Sequence, residues 1–167
     1  ANIANALASI AALDATGGTK MLSALKLALR DYEQSTRVRQ VVFITDGAVG
    51  NETTIFDYIG RHIGKSRLFI VGIGSSPNGY FMRKAARTGR GTFTYIGNPK
   101  EVREKMSALF ARLESPVLTN IKLHWRQGVL ETYPTPVPDL YAGEPLVVVV
   151  QARHLGDEVR ITGMRAG

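Results

Sequence analysis

The 167-residue chain contains no cysteine. Disulfide bonds and thiolate metal sites are therefore excluded, although this absence does not distinguish a reducing cytosol from a bacterial exterior. Long apolar runs are also lacking, and the best candidate, Leu146 to Val150, is a strand-length segment far short of the roughly 20 residues of a membrane helix. No pattern typical of a secretory signal peptide is present, so the sequence itself contains no targeting signal.

The net charge of +7 is the one compositional feature that points toward nucleic acid. Arg83, Lys84, Arg87 and Arg90 lie close together, but other basic residues are spread along the chain and alternate with acidic ones. No DNA-binding or RNA-binding motif accompanies them. We therefore expect a solvated basic surface and no nucleic-acid partner.

Apolar spacing in the first two thirds of the chain alternates between helix and strand. Two helices are predicted from stripes at Ile3, Leu7, Ile10 and Leu13 and at Leu22, Leu25, Leu29 and Tyr32. The elements predicted next are a strand at Val41 to Thr45, a helix capped by Asn51 and stopped at Gly64, a strand at Leu68 to Ile73, a helix from about Tyr80 to Arg87, and a strand at Thr92 to Ile96. This βαβαβ order predicts a parallel sheet.

A capped helix and a change of pattern follow. Asn98 as cap and Pro99 at the first helical position begin a helix with the apolar stripe Val102, Met106, Leu109 and Leu113. Beyond Pro116 only strands are predicted, at Val117 to Trp125, Val129 to Tyr133, Leu146 to Arg153 and Glu158 to Met164. The change predicts a boundary near residue 115, with an α/β part at residues 1–115 and a β-rich segment at residues 116–167.

The most informative segment is the apolar run that ends in Thr45-Asp46-Gly47, preceded by Thr16-Gly17-Gly18-Thr19. A buried parallel strand that stops at a carboxylate places Asp46 at the carboxyl edge of the sheet, where open α/β sheets bind ligands. The Gly-Gly-Thr turn presents the hydroxyl of Thr19 toward the same crevice. Hydroxyl and carboxylate oxygens suit Mg²⁺, Mn²⁺ or Ca²⁺, so Thr19 and Asp46 are candidate metal ligands.

Structural roles compete with these functional ones. From the residues alone, a turn role after a strand explains Asp46 as well as a metal-ligand role does. For Thr19 alone the role of helix cap is favoured, and this role is compatible with metal binding. Loop and cap roles are favoured for Asp14, Asn51 and Glu52, which we do not count as ligands. Gly72 to Gly79 lacks the Gly-Lys-Ser/Thr ending of a phosphate loop and predicts a strand-to-helix turn, and no catalytic constellation is visible.

At these residues the chain resembles the von Willebrand factor A (vWA) domain. In that family Gly-Gly-Thr and a strand ending in Thr-Asp-Gly supply two ligands of the metal-ion-dependent adhesion site, which Thr19 and Asp46 match. The segments Arg67 to Gly74, Asn78-Gly79 and Thr92 to Ile96 look most like the branch of inter-alpha-trypsin-inhibitor heavy chains and bacterial VIT-domain surface proteins, including sortase targets. The family's Asp-x-Ser-x-Ser loop is not in this sequence, so we expect an N-terminally truncated fragment.

The resemblance implies an α/β fold with an incomplete doubly wound, Rossmann-like vWA sheet, followed by a small β-rich appendage. It also implies a binding module rather than an enzyme, in which Mg²⁺ bridges the domain to an acidic group of a protein partner at a cell surface, in the periplasm or outside the cell. Metal binding by the fragment itself should be weak. Two alternatives stay open, a metal-dependent hydrolase fragment and a structural vWA domain with an inactive metal site.

A further expectation concerns assembly. In the family the missing first strand lies beside the strand that ends in Asp46, so its absence would turn Val41 to Thr45 into an apolar edge strand without Pro, Lys or a bulge. Such an edge is a template for pairing. We therefore expect the fragment to self-associate, as a twofold dimer through Val41 to Thr45 or with a retained upstream segment.

Overall fold

A computed structural model describes residues 2–14, 20–30, 38–46, 50–75, 78–115, 117–126, 128–153 and 158–166. Its α/β elements, in chain order, are α1 (Asn2–Ala11), α2 (Met21–Ala28), β1 (Gln40–Thr45), α3 (Glu52–His62), β2 (Arg67–Ile73), α4 (Gly79–Thr88), β3 (Phe93–Ile96), a 3-10 turn (Pro99–Glu101) and α5 (Val102–Leu113). The strands that follow are β4 (Val117–Trp125), β5 (Val129–Tyr133), β6 (Leu140–Tyr141), β7 (Val149–Ala152) and β8 (Val159–Ala166). None of the helices in the described part of the chain combines the length and apolar character needed to cross a membrane.

The first three strands form the predicted parallel sheet in the order β1-β2-β3. The central strand β2 is buried from Arg67 to Gly72 because it has a strand on each side and is covered on both faces. The prediction that Val41 to Thr45 is fully buried is wrong. Val41 to Phe43 are only half-buried and Ile44 is 55% exposed, because β1 pairs with β2 alone among the described strands.

Alternate side chains of β2 supply two hydrophobic cores, one on each face of the sheet. Leu68 and Ile70 pack with residues of α2, α3 and α4. Phe69 and Val71 pack on the opposite face, with Leu109 of α5 and residues of β4 and β6. Helices therefore cover both faces, which confirms the α/β class with a doubly wound, Rossmann-like sheet.

Helix α1 confirms the first predicted helix but contributes nothing to these cores. None of its residues is buried, and its apolar stripe is largely solvent-exposed. The exposed fractions of the stripe are 79% for Ile3, 61% for Leu7 and 63% for Ile10, with 78% for Leu13 just beyond the helix. The spacing of apolar residues thus predicted the helix, but it did not predict that the apolar stripe is exposed to solvent.

The β-rich segment is antiparallel and contacts the parallel sheet. Strand β4 lies between β6 and β8, while β5 and β7 form a separate two-stranded ribbon. Val117 of β4 and Tyr141 of β6 are buried in the core that contains Phe69, and the rings of Phe69 and Tyr141 meet edge to face with centroids 5.9 Å apart. The small β-rich region is thereby confirmed, whereas the division into residues 1–115 and 116–167 stays a prediction.

Several local signals were correct and two were not. The side chain of Asn98 accepts a hydrogen bond from the backbone N–H of Lys100 at 2.9 Å, as its capping role predicted. Gly64, at φ +49°, follows α3 as predicted. Asn51 makes no side-chain capping bond and instead adopts a left-handed backbone. The two-residue strand β6 was not predicted, since so short a segment has no periodicity.

Candidate functional site

The carboxyl ends of β1, β2 and β3 meet at one edge of the sheet because the strands are parallel. Asp46 directly follows β1 at this edge and is exposed to solvent, as its sequence position predicted. Thr19, the other predicted ligand, lies outside the described residues, as does Gly47. The meeting of Thr19 with Asp46 therefore stays a prediction.

A hydrogen-bonded pair joins two helix starts at the same edge. The amide Nδ2 of Asn78 donates to Oε1 of Glu52 at 2.6 Å, and Oδ1 of Asn78 accepts from the backbone N–H of Phe81 at 3.0 Å. Asn78 thus caps α4 and holds the carboxylate at the beginning of α3. Glu52 therefore has a structural contact of its own, and its exclusion from the ligand list stays a prediction.

A second polar group lies beyond the ends of β2 and β3. The hydroxyl of Tyr95 donates to the carbonyl oxygen of Gly74 at 3.0 Å. Lys105 donates to the carbonyl oxygen of Tyr95 at 2.7 Å and to Oε2 of Glu101 at 2.9 Å. The hydrogen bond from Lys105 lowers the pKa of Glu101. These residues were not among the predicted site residues. The pattern that could have indicated them is the Glu101-Lys105 pair, four residues apart, at the start of α5.

These contacts leave Asp46 as the exposed carboxylate without an ion-pair or hydrogen-bond partner among the described residues at this edge. An exposed, unpaired carboxylate fits the role of one oxygen ligand of a hard cation. The described residues contain no group of three histidine or acidic side chains that could hold a metal. Of the two predicted ligands they include Asp46 alone, so a complete coordination sphere would need donors from outside them.

The parallel sheet with helices on both faces defines an α/β domain of the Rossmann-like class, and Asp46 lies at the edge where such sheets bind ligands. The family model described as "von Willebrand factor type A domain" matches residues 2–95, which is more than half of the chain. The chain belongs to this family.

Curated relatives carry the same domain in longer proteins. A von Willebrand factor A domain-containing protein of Dictyostelium discoideum is 27% identical over 154 residues, which cover 90% of this chain and 16% of that protein. The human von Willebrand factor A domain-containing protein 5B1 is 26% identical over 134 residues, covering 78% of this chain and 11% of the relative. The chain thus spans less than a fifth of the length of these relatives.

Solved structures show the same fold. A von Willebrand factor type A protein from Catenulispora acidiphila superimposes with a TM-score of 0.61 at 22% identity, covering 91% of this chain and 39% of that one. The ArnB paralog VWA2 from Sulfolobus acidocaldarius gives a TM-score of 0.57 at 19% identity, covering 92% and 43%. Residues 1–115 are about two thirds of the chain, so matches of this extent include part of the β-rich segment as well.

Proposed function

We propose that this chain is a protein-binding module that contacts its partner at the carboxyl edge of the parallel sheet. The observation that carries the proposal is Asp46, an exposed carboxylate at the end of a parallel strand in a vWA fold. Domains of this family are generally protein-interaction modules. The contacts of Glu52 with Asn78 and of Glu101 with Lys105 further support Asp46 as the acidic group available to a ligand.

The finer proposal is that binding depends on a divalent cation, Mg²⁺ or in its place Mn²⁺ or Ca²⁺. Thr19 and Asp46 would hold this cation together with donors from outside the described residues. When bound, it would supply a positive charge that a carboxylate of the partner recognises. Hard cations prefer oxygen ligands, which accounts for an acidic partner group.

Location and subtype belong to the same proposal. A role in adhesion at a bacterial surface, in the periplasm or outside the cell rests on the resemblance of Arg67 to Gly74 and of Thr92 to Ile96 to VIT-domain and sortase-target proteins. Cell fractionation of the source organism with an antibody against the chain tests it. Recovery in the cytosol alone would contradict a surface role.

Two alternatives have different requirements. A metal-dependent hydrolase fragment would need a second carboxylate or a lysine beside Asp46 and would show itself by retaining nucleotide on purification. Glu52 and Lys105, the described residues of these types discussed above, are engaged with Asn78 and with Glu101 and Tyr95. We therefore propose a binding role rather than an enzymatic one. A structural vWA domain would show loss of the Asp-x-Ser-x-Ser motif in the full-length sequence.

The first prediction tests Asp46 directly. Titration of the ¹⁵N-labelled chain with Mn²⁺ should broaden the amide resonances of Ile44, Thr45 and Asp46, with an affinity weaker than micromolar because few of the ligands are present. Asp46→Asn keeps the shape of the side chain but removes its charge, so the broadening should disappear while the spectrum stays folded. The matched control is Asp57→Asn, at an exposed position of α3, which should leave the broadening unchanged.

The carboxylate part of the proposal needs a second titration. N-acetyl-aspartate should shift the same resonances in the presence of Mg²⁺ and not after chelation with EDTA. Equal shifts with and without Mg²⁺ would overturn the metal bridge, and Mn²⁺ broadening that survives Asp46→Asn would remove Asp46 from the site.

The second prediction concerns self-association through β1. A second copy pairing antiparallel with Gln40–Thr45 would cover the outer edge of this strand, which has a strand neighbour only at β2 in the described sheet. Analytical ultracentrifugation at high concentration should detect a dimer. Ile44→Lys should shift it to monomer, because a charge at this half-exposed edge position opposes close pairing.

Leu130→Lys is the matched control for this charge, since Leu130 of β5 is 58% exposed against 55% for Ile44. The control should dimerise like the original chain. A monomer at all concentrations, with mass spectrometry showing no attached upstream peptide, would exclude both the dimer and a retained segment.

A further inference from the structure

A cavity lies at the opposite end of the parallel sheet, where the turn after α4 meets the β-rich segment. Its volume is about 620 Å³, which is within the range of small-molecule sites. The residues that line it include the basic Arg90 and Lys122, the neutral polar Asn120 and Thr162, and the apolar Ile121 and Met164. The cavity therefore combines positive charge with an apolar body.

The positive charge is not balanced by the wall itself. Asp139, the acidic residue of the wall, forms an ion pair with Arg67, and both side chains are only 3% exposed. No ion pair in the described part of the chain involves Arg90 or Lys122. The guanidinium of Arg90 donates one hydrogen bond, from Nη2 to the carbonyl oxygen of Gly64 at 3.1 Å, which leaves its other N–H groups for a ligand.

The surroundings of Arg90 destabilise its positive charge and so favour a bound anion. Partial burial and the neighbouring Arg67 lower the pKa of Arg90, and Asp139 opposes this only in part. An anion beside the guanidinium would relieve both effects, because it would replace the lost hydration and screen Arg67.

Arg90 and Lys122 line the cavity from two different elements, and an unusual backbone conformation occurs at or near each of them. Arg90 adopts a left-handed conformation, φ +56°, in the turn between α4 and β3. Lys122 lies on β4 next to an irregularity between Thr119 and Lys122, where Asn120 is also left-handed at φ +53°. Such bulges change the direction of side chains and are common beside functional sites.

We propose that this cavity is a second ligand site, which binds a carboxylate carried by an apolar body. The planar guanidinium of Arg90 matches a carboxylate, and Lys122 adds a second charge. Compact phosphate is a poorer fit, because it would leave the apolar walls uncovered. The site is distinct from the edge at Asp46, since the seven residues of β2 separate the two ends of the sheet by about 20 Å. The carboxylate belongs either to a free organic acid or to an acidic side chain of a protein.

The test is an NMR titration of the ¹⁵N-labelled chain with hexanoate in the presence of EDTA, which removes any contribution from a metal at Asp46. Hexanoate should shift the amides of residues 120–122 and 162–164 saturably, with a dissociation constant of about 10 mM or tighter for a ligand of this size. Hexanol and inorganic phosphate should each bind at least about tenfold more weakly, because each lacks one of the two features of the ligand.

Variants assign the effect to the two cations. Arg90→Gln and Lys122→Gln should each weaken hexanoate binding about tenfold. Arg87→Gln and Arg126→Gln remove the same charge at exposed positions outside the cavity wall and should leave binding unchanged. If Arg90→Gln disturbs the fold through its neighbours Arg67 and Asp139, Lys122→Gln, at an exposed position, still decides the result.

The source of the carboxylate is distinguished by a second ligand, the acetylated and amidated tripeptide Leu-Glu-Leu. Tighter binding of the tripeptide than of hexanoate assigns the site to acidic protein segments, and the reverse assigns it to free organic acids. The proposal is overturned if neither ligand causes saturable shifts at the cavity, if hexanol binds as well as hexanoate, or if Lys122→Gln binds like the controls. None of these results affects the titrations at Asp46.

Discussion

Replacing Gly91 by alanine should lower the free energy of unfolding by roughly 3 kcal/mol or more, the upper end of what overpacking costs. A Cβ atom at this position would clash with the carbonyl oxygen of Leu68, and would lie 2.7 Å from its carbonyl carbon and 3.2 Å from the backbone nitrogen of Phe69. These are main-chain atoms of the buried central strand β2, so no side-chain rotation relieves the contact.

Hydrogen bonds hold the Gly91 turn in place against β2. The backbone N–H of Gly91 donates to the carbonyl oxygen of Ala86 at 2.9 Å, and that of Leu68 donates to the carbonyl oxygen of Gly89 at 2.9 Å. Moving the turn away to admit a methyl group would therefore break contacts on both sides.

The measurement is urea unfolding followed by circular dichroism, with Gly60→Ala as the control. Gly60 lies at an exposed position inside α3, and a Cβ there would have only the Cγ2 atom of Thr88 nearby, at 3.9 Å. Alanine at this helical position should be neutral or stabilising by about 0.5 to 1 kcal/mol. Similar unfolding midpoints for the two variants would show that β2 and the Gly91 turn are not packed as described.

The second large effect is expected at the buried ion pair between Arg67 and Asp139. Asp139→Asn should lower the free energy of unfolding by about 3 kcal/mol, because it leaves Arg67 charged and 3% exposed without its counterion. The carbonyl oxygens of Lys65 and Ser66 accept hydrogen bonds from Nη1 of Arg67 at 3.0 Å, but neither supplies a negative charge. Arg90 adds a repulsive charge nearby.

A matched pair exists in the same molecule. Arg112 of α5 and Glu144, beyond β6, also form an ion pair between the α/β part and the β-rich segment, with side chains 33% and 32% exposed. Water screens this pair, so Glu144→Gln should change the free energy of unfolding by less than about 1 kcal/mol. The double variant Arg67→Met with Asp139→Leu should recover much of the loss, since it buries no charge. Equal losses for Asp139→Asn and Glu144→Gln would contradict the role assigned to burial.

The position of Asp46 is a feature that the local sequence is sufficient to predict. Val41 to Thr45 is an apolar run, and the turn residues after it end the strand, so the location of the carboxylate at the sheet edge follows from neighbouring residues alone. The same holds for Asn98, whose side chain caps a backbone N–H only two residues away. Interactions of this range leave a pattern that can be read from the chain.

The different roles of Asn51 and Asn78 could not be predicted from the local sequence. Both asparagines precede a helix, yet Asn78 makes a side-chain capping bond and Asn51 does not. The second partner of Asn78 is Glu52, 26 residues away, and the two meet only because α3 and α4 begin at the same edge of the sheet. No local pattern encodes a contact of that separation.

The sequence by itself determined the α/β class, the order of helices and strands apart from β6, and the location of Asp46, because each depends on apolar spacing and turn residues within a short stretch. The tertiary structure alone decided the solvent exposure of the apolar stripe of α1, the pairing of Arg67 with Asp139 across 72 residues, and the cavity between Arg90 and Lys122. Burial and charge pairing are properties of the surroundings that folding assembles from distant segments. They follow from which elements become neighbours.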